Sequence, residues 1–213
     1  MPSRSSGVNA PVTQPVRRRR APQEAEAEIA EAARALLTER PVHEVTVRAI
    51  MERTTLSRKS FYVYFPDRYA LLTRLLRPLQ EQRDAILAPL YQADEPLLAA
   101  GSSALLGMAG FYAEHGRLLR ALAHASEQDG HTRRAWQGFL EPIIRGHLRL
   151  VEAEVAAGRI TGIDPEPTTR ALIAMNLQYF FDELVDRPDA DLEAVSNTLT
   201  RIWARTLYGL PTP

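Results

Sequence analysis

Hydrophobic residues recur along this chain with the spacing of amphipathic helices rather than that of strands. Between Gln23 and Glu39 the apolar positions lie on one stripe, spaced i, i+4, i+7 and i+8, namely Ile29, Ala33, Leu36 and Leu37. Comparable patterns predict further helices over about 96–115, 117–127, 130–158, 166–184 and 189–209. No segment alternates apolar and polar residues over a useful length, so we predict an all-α protein.

Two short helices with a tight turn between them are expected after the first helix. Thr46 is a suitable N-cap for one of them and Ser57 for the next. Phe61 and Phe65, four residues apart, are expected to anchor the second of these helices against the core. Pro66 should end it, because proline cannot continue a helix interior.

A long helix follows, and the patterns together divide the chain. Asp67 is expected to cap this fourth helix, which continues to about Tyr91. We predict a helix-turn-helix head (residues 22–68) and a larger helical body (residues 69–213). The predicted head is a small unit of three helices, whereas the larger helical body is long enough to bury a core of its own.

Charge is divided unevenly along the chain, although the formal net charge is +0. Residues 1–90 carry 15 Lys and Arg against 10 Asp and Glu, whereas residues 91–213 carry 11 against 16. A basic front and an acidic rear fit a head that binds nucleic acid on a body that does not. Residues 1–21 are predicted to form a disordered basic arm. Its Arg17-Arg18-Arg19-Arg20 run is either a solvated tail or a contact to DNA phosphates or the minor groove.

Bulk composition excludes several classes of protein. Apolar residues make up 45% of the chain, enough for a folded core. No apolar run approaches the ~20 residues needed to span a bilayer, and the N-terminus lacks the apolar core of a signal peptide. Cysteine does not occur, which excludes disulfides and thiolate metal sites. We expect a cytoplasmic protein with no membrane partner.

The second short helix carries polar side chains on the face away from its apolar anchors. Arg58 and Lys59 lie at its N-terminal end, where helix-turn-helix proteins contact base edges in the major groove. The hydroxyls of Thr46, Ser60 and Tyr64 suit phosphate oxygens, and such contacts fix register without reading sequence. The alternative is that the tyrosines of this helix only cover the core.

The run Phe61-Tyr62-Val63-Tyr64-Phe65-Pro66-Asp67-Arg68 resembles the DNA-binding signature of the TetR family of bacterial transcriptional regulators. The family pattern is Phe-Tyr-x-Tyr-Phe, a short capped turn and a basic residue. The resemblance implies contacts to bases or the adjacent backbone by Arg48, Arg58 and Tyr62. It implies phosphate contacts by Thr46, Ser60, Tyr64 and Arg68. Ser57 and Lys59 complete the set of residues predicted to bind DNA.

Two positions depart from the family pattern. Thr54-Thr55 stands in the inter-helix turn, where the family usually has Ala-Gly. A β-branched residue is unfavourable where φ is positive, so either the turn differs here or it carries strain. Lys59 and Ser60 replace a common small residue or proline followed by threonine, so the operator sequence cannot be taken from a relative.

The body contains many bulky apolar residues, and a solid helical core is the simplest explanation for them. Two features favour a cavity instead. Asn176 lies inside the apolar run Ala171 to Leu177, and a buried amide without partners costs ~1–3 kcal/mol. Pro142 lies inside an otherwise strong helix, where it frees a backbone carbonyl.

The body also resembles, more faintly, the branch of the family typified by the mycobacterial ethionamide-activation repressor. The matching points include Ala-Leu-x-x-Met-Asn, from Ala171 to Asn176. The branch implies an apolar tunnel with a ligand-binding asparagine, lined here by Trp136, Asn176, Phe181 and Trp203. Helical spacing adds Met108, Tyr112, Leu140, Ile143, His147 and Ile173. Ile143 and Gly146 stand where the branch has bulkier rings, so a pocket of different shape is expected.

These resemblances imply a repressor that binds a palindromic double-stranded DNA operator as a homodimer and is released by a hydrophobic small molecule. The helices over about 166–184 and 189–209 would pair with their copies at a two-fold axis. The alternative is that their apolar faces serve only their own core. A second alternative is a DNA-binding protein without a small-molecule effector, controlled by a protein partner or acting structurally. An Asn176 that was solvent-exposed, or that was satisfied by a neighbouring helix with no void, would favour it.

An enzyme is the remaining class, and the sequence argues against it. No glycine-rich phosphate loop and no nucleophile elbow occur. The five histidines include no i, i+4 pair with a carboxylate partner that would indicate zinc. We expect no cofactor, no metal and no catalytic residue.

Overall fold

The computed structural model describes residues 21–40, 42–92, 97–187 and 189–209. Within these ranges the chain is helical and contains no strand, as the hydrophobic spacing predicts. The helices are α1 (Pro22–Glu39), α2 (Val47–Glu52), α3 (Arg58–Tyr64), α4 (Arg68–Gln92), α5 (Leu97–Gln128), α6 (Gly130–Ala156), α7 (Pro165–Phe180) and α8 (Leu192–Tyr208). The predicted arm with Arg17-Arg18-Arg19-Arg20 lies outside the described residues.

The head is built from α1, α2 and α3 around a small apolar core. The predicted stripe of α1 is buried, with Ile29 and Ala33 fully inaccessible to solvent. Ile50 of α2 and Phe61 of α3 pack into the same core. Phe61 and Phe65 also contact each other, with ring centroids 5.6 Å apart. These anchors hold α3 rigidly, so that its remaining side chains keep a fixed direction.

The turn between α2 and α3 is not strained. No residue other than glycine has a positive φ among the described residues, so Thr54 and Thr55 fit it without the left-handed conformation. The Thr54 hydroxyl donates to the Met51 carbonyl at 3.0 Å. The backbone N–H and the hydroxyl of Thr55 donate to one carboxylate oxygen of Glu28, at 2.6 and 2.8 Å. A side chain of α1 therefore fixes a turn that differs from the glycine type.

The long helix α4 connects the head to the body. Asp67 caps it as expected, since its carboxylate accepts from the Ala70 N–H at 2.8 Å. Near the head, Arg74 forms an ion pair with Glu26 of α1 at 2.9 Å. Further along, α4 packs on α5 and α6, and its residue Arg83 lies inside the body core.

Helix α5 corrects one prediction. We expected two helices, over 96–115 and 117–127, with a break at Gly116; the structure has a single helix from Leu97 to Gln128. Gly116 is buried, and a Cβ there would lie 2.4 Å from a methyl group of Val185. The glycine therefore allows a close packing contact and does not interrupt α5. This packing offsets the ~1 kcal/mol by which glycine destabilises a helix interior relative to alanine.

The three helices α6, α7 and α8 begin and end within a few residues of their predicted bounds. Asp129 caps α6 by accepting from the Thr132 N–H at 2.7 Å. Helix α7 ends at Phe180 and continues as one π-helical turn, Phe181–Val185. Gly209 ends α8 with φ +61°, a conformation that favours glycine at a helix C-terminus.

Arg83 is the largest fully buried side chain of the described residues, with 2% of its surface exposed. Its guanidinium donates to the Phe139 carbonyl of α6 and lies over the Phe139 ring, 4.6 Å from the centroid. It also pairs with Asp84, at 2.6 Å. A buried charge needs such partners, and the two contacts with Phe139 connect α4 to α6 in the middle of the body.

Candidate nucleic-acid interface and ligand cavity

The outer face of α3 carries the predicted base-contacting residues. Arg58 and Lys59 are exposed at the N-terminal end of the helix, and neither forms an ion pair with another described residue. Tyr62 is 53% exposed, with the edge of its ring against Phe61. Val63, which the sequence analysis did not select, is 76% exposed. An apolar side chain that packs against nothing on such a face suits the thymine methyl group in a major groove.

The remaining residues of the predicted interface have partners inside the protein. The Thr46 hydroxyl accepts from the Ala49 N–H at 3.1 Å and thereby caps α2, as expected. Arg48 is exposed and paired with Glu52 at 2.8 Å. That contact is a solvent-exposed i, i+4 pair, which contributes little to stability and leaves Arg48 free to exchange partners.

Ser57 stands at the N-cap position of α3, but its side chain does not cap the helix. Its hydroxyl lies 3.0 Å from the Ser60 hydroxyl instead. The sequence correctly predicts where α3 begins, whereas the expected capping hydrogen bond is not formed. Both hydroxyls lie at the start of α3, beside Arg58, on the surface predicted to face DNA.

Tyr64 and Arg68 are less exposed to solvent than the sequence motif predicts for residues that contact DNA. Tyr64 is half-buried and packs against the head core, which agrees in part with the alternative that a tyrosine here covers the core. Arg68 is half-buried, donates to the Tyr69 hydroxyl at 3.0 Å and lies over the Tyr69 ring at 4.8 Å. The outward-facing set is therefore narrower than the predicted one and centres on the first turn of α3.

The body contains a partly open cavity of about 80 Å³ between α4, α5, α6, α7 and α8. Its wall is almost entirely apolar, and no Asp, Glu, Lys or Arg lies among the described residues that line it. Eight of the predicted pocket residues line it, namely Met108, Tyr112, Leu140, Ile143, His147, Ile173, Asn176 and Trp203. A void with this lining suits an apolar molecule with few polar groups.

Trp136 and Phe181 were predicted to line the cavity and do not. Trp136 lies one turn before Leu140, where its ring stacks on that of Phe139 at 5.3 Å, outside the void. Phe181 begins the π-helical turn and packs behind Tyr112, at 5.5 Å. The resemblance to the family branch implied both as pocket residues, but in this chain neither belongs to the lining.

Several lining residues were missed, and for two of them, Leu177 and Phe180, a sequence signal existed. Phe180 follows Ile173, Asn176 and Leu177 at the helical spacing i, i+3, i+4 and i+7, so it shares their face. It stacks on Tyr112 at 4.9 Å. The leucines contributed by α4 and the end of α8, among them Leu87, Leu90 and Leu207, became identifiable only once the helices were assembled.

Asn176 is buried and has a partner on a neighbouring helix. Its side-chain carbonyl accepts from the Trp203 indole N–H at 3.1 Å. A protein without an effector would be favoured if a neighbouring helix satisfied Asn176 and no void lay beside it. The bond to Trp203 satisfies the carbonyl of Asn176, but a void is present, because both residues line it.

His147 also contacts Trp203, with ring centroids 5.6 Å apart. Its Nδ1 is 2.9 Å from the Ile143 carbonyl and 3.0 Å from the Tyr91 hydroxyl. Burial lowers the pKa of His147, so the ring is neutral. The Tyr91 ring lies against Gly146, where a Cβ would be 2.4 Å from its Cζ. A ring from α4 therefore fills the space above this glycine.

The described residues lack two other types of site. They contain no group of three or more His, Asp or Glu side chains placed to hold a metal ion. They also contain no helix with the length and apolar character needed to cross a bilayer.

Two family models match the chain in succession. The model of bacterial regulatory proteins of the tetR family matches residues 29–75. The model of the C-terminal domain of the transcriptional regulator EthR matches residues 102–209, just over half of the chain. The first match covers most of the head, and the second covers the helices that line most of the cavity.

Individual relatives agree with the family models. The chain is 28% identical over 190 residues to the HTH-type transcriptional regulator EthR of Mycolicibacterium smegmatis, covering 86% of each chain. It is 27% identical over 181 residues to EthR of Mycobacterium tuberculosis, covering 82% of each.

Solved structures share the fold. NalD of Pseudomonas aeruginosa, the secondary repressor of the MexAB-OprM multidrug efflux pump, superimposes with a TM-score of 0.70 at 20% identity over 88% of this chain and 98% of its own. FadR of Bacillus subtilis in complex with stearoyl-CoA gives 0.70 at 15% identity over 87% and 99%.

Proposed function

The chain belongs to the TetR family of bacterial transcriptional regulators, close to the EthR branch, and from that premise we propose that it is a ligand-responsive repressor. Its homologues and its fold are those of transcriptional regulators, not of enzymes. The proposal is that a homodimer binds a palindromic operator in the cytoplasm and that an apolar small molecule releases it.

The DNA half of the proposal rests on the exposed face of α3. Arg58 and Lys59 would contact base edges, with Tyr62 and Val63 beside them in the major groove. The hydroxyls at the start of α2 and α3, and Arg48 once released from Glu52, would contact the backbone. Tyr64 and Arg68 would contribute from the rim, since both are half-buried.

Dimer formation would use α7 and α8, the last two helices. Two copies related by a two-fold axis present their α3 helices to successive major grooves, which is why the operator would be palindromic. We place the head at residues 22–68 and the body, with the ligand cavity and this interface, at residues 69–213.

The ligand half rests on the cavity. A relative in fold has been solved with stearoyl-CoA, and the apolar lining here suits an apolar molecule of some kind. The cavity volume of about 80 Å³ is well below the ~300–1,000 Å³ of pockets that hold drug-sized ligands. Such a ligand would have to push the helices of the body apart, and that displacement is the proposed switch.

The observation that carries the proposal is the path of α4. One unbroken helix is paired with α1 through Arg74, is fastened to α6 through Arg83 and lines the cavity with Leu87 and Leu90. Displacement of the cavity wall would therefore move the head. The ligand shifts the equilibrium only by its difference in affinity between the DNA-bound and released states.

The first experiment measures DNA binding by fluorescence anisotropy on the gene's own upstream intergenic DNA. Scrambled DNA, two salt concentrations and Tyr62→Ala serve as comparisons. We expect tight, sequence-dependent binding that Tyr62→Ala abolishes. Weak binding that is equal on both DNAs and disappears with salt would indicate only a charged surface and would overturn the proposal.

The second experiment tests the cavity with a matched pair of substitutions in α5. A Cβ at Gly101 or at Gly110 meets no heavy atom within 4 Å, but only Gly101 lines the cavity. Gly101→Leu should fill the void and reduce operator release by apolar compounds, whereas Gly110→Leu should leave release unchanged. Equal effects of the two variants would contradict the cavity assignment.

One observation favours the second candidate, a DNA-binding protein without a small-molecule effector. Trp203 already satisfies the carbonyl of Asn176, so this amide alone does not require a ligand. If operator binding is specific but no apolar compound releases it, and Gly101→Leu behaves like the wild type, this second function replaces the first.

A further inference from the structure

An open cleft of about 360 Å³ lies where the head meets the body. One wall consists of the end of α1 and the short 3₁₀-helix Val42–Glu44, and the other consists of α5 and the π-helical turn. None of the described residues that line this cleft also lines the apolar cavity. The volume of the cleft falls within the ~300–1,000 Å³ of sites that hold small molecules. The junction therefore contains a second space with room for a ligand.

The cleft is positively charged, in contrast to the uncharged wall of the cavity. Arg40 lines it from the head, and Arg117 and Arg120 line it from α5. Among the described lining residues, Glu39 alone is acidic. A cleft lined mainly by one sign of charge raises the local concentration of counter-ions. The lining therefore favours an anion.

The carboxylates at the cleft are already engaged by arginines. Glu39 accepts hydrogen bonds on both carboxylate oxygens from Arg53, which is not part of the lining. Asp186 accepts from Arg120 in the same two-fold manner, at 2.8 and 3.0 Å. Each of these carboxylates thus offsets the charge of one arginine. The other two arginines of the cleft are not neutralised in this way.

These two arginines lie on opposite walls. Arg117 donates one N–H to the Thr38 carbonyl at 2.6 Å, and a neutral carbonyl leaves the charge of the guanidinium in place. Arg40 is exposed, and its side chain forms no hydrogen bond with a described residue. Guanidinium groups bind phosphate through paired N–H donors. Because a phosphate monoester has three terminal oxygens, one phosphate can accept from two arginines at once, which is harder for the two oxygens of a carboxylate.

We propose that this cleft binds a small organic phosphate, held by Arg40 from the head and by Arg117 from the body. The exposed His124 of the same lining supplies a further N–H donor. Apolar side chains of the lining, among them Val42 and Val185, contact the organic part. The inference goes beyond the proposed function, because it adds a site for a second, chemically different effector that touches head and body together.

The probe is phenyl phosphate, and benzoate is the comparison with a carboxylate in place of the phosphate. Titration calorimetry on the full-length protein gives both affinities at constant ionic strength, since salt screens exposed charges. We expect phenyl phosphate to bind about tenfold more tightly than benzoate, because it has more charge and a third oxygen. Arg40→Gln and Arg117→Gln should each weaken phenyl phosphate about tenfold. Arg40→Gln removes no hydrogen bond to a described residue, so it tests the charge without disturbing the head.

Two exposed arginines outside the cleft provide matched controls, since each substitution also removes one positive charge. Arg58→Gln alters the face of α3, which attracts phosphates as well, and Arg134→Gln alters α6. Both variants should keep the wild-type affinity for phenyl phosphate within about twofold.

Three results would overturn the proposal. One is that phenyl phosphate fails to bind the wild type up to about 10 mM, or binds no better than benzoate. Another is that Arg40→Gln and Arg117→Gln both bind it like the wild type. The third is that Arg58→Gln loses binding that Arg40→Gln retains, which would assign the phosphate to the DNA-binding face. The assay contains neither operator DNA nor an apolar ligand, so none of these results bears on the proposed repressor function.

Discussion

A methyl group at Gly146 tests the packing between α4 and the cavity wall. A Cβ built there lies 2.4 Å from Cζ of Tyr91 and 2.7 Å from both its Cε1 and its hydroxyl oxygen. Close-packed interiors do not accommodate carbon contacts of this length. In Gly146→Ala the Tyr91 ring must therefore move and abandon its 3.0 Å contact with His147.

The expected cost follows from three contributions. Overpacking costs about 1–3 kcal/mol, and the lost hydrogen bond adds about 0.5–1.5 kcal/mol. Replacing a helical glycine by alanine returns about 1 kcal/mol. We expect Gly146→Ala to lower the free energy of unfolding by about 0.5–3.5 kcal/mol. Gly138→Ala, an exposed position in the same helix with no atom within 4 Å of its Cβ, should raise it by about 0.5–1 kcal/mol.

Urea unfolding followed by circular dichroism measures both variants at one protein concentration, since association would shift the midpoint. The decisive comparison repeats Gly146→Ala in a Tyr91→Ala background, where the ring that causes the clash is missing. There the substitution should be neutral or stabilising. If it destabilises equally in both backgrounds, the Tyr91 contact is not the cause and the argument fails.

Three further predictions concern other parts of the molecule. Burial lowers the pKa of His147 below 6.5, so the unfolded chain binds a proton there that the folded protein does not. The free energy of unfolding should fall as pH drops below about 6.5, by up to about 1.4 kcal/mol per pH unit. In urea titrations His147→Phe should flatten that slope, and an unchanged slope would refute the assignment to His147. Arg58→Ala should weaken operator binding about 10–100-fold in anisotropy titrations and relax specificity; equal loss on scrambled DNA would refute base contact. Glu28→Ala should lower the free energy of unfolding by about 1 kcal/mol, because it removes the hydrogen bonds that fix the α2–α3 turn. Glu31→Ala should change the free energy of unfolding by less than about 0.5 kcal/mol, and similar effects of the two variants would refute the role of Glu28 in fixing this turn.

Prediction from sequence succeeded where information was local. The buried stripe of α1, the anchors of α3 and the cap at Asp67 each depend on residues within one or two turns. Prediction failed at Gly116, because a glycine within a helical pattern can either end the helix or allow another segment to pack closely against it, and local sequence does not distinguish the two. The neighbour, Val185, is distant in sequence.

The candidate sites show the same division. Residues on one helix face could be grouped by their spacing, and Asn176 was identified as a buried amide before any contact was known. Its partner Trp203 is 27 residues away, and the contact of Tyr91 with Gly146 joins two separate helices. The spacing of hydrophobic residues along one helix cannot reveal contacts between residues on two different helices.

By itself the sequence determined the all-α class, the position of the helix-turn-helix and the polar face of α3, because hydrophobic period, capping and local charge act over a few residues. Only the tertiary structure decided that the Thr54-Thr55 turn is fixed by Glu28 and that Phe180 rather than Phe181 faces the cavity. It also decided that Arg83 is buried between α4 and α6. These features depend on how helices distant in sequence approach one another, and packing sets that approach for the whole molecule at once.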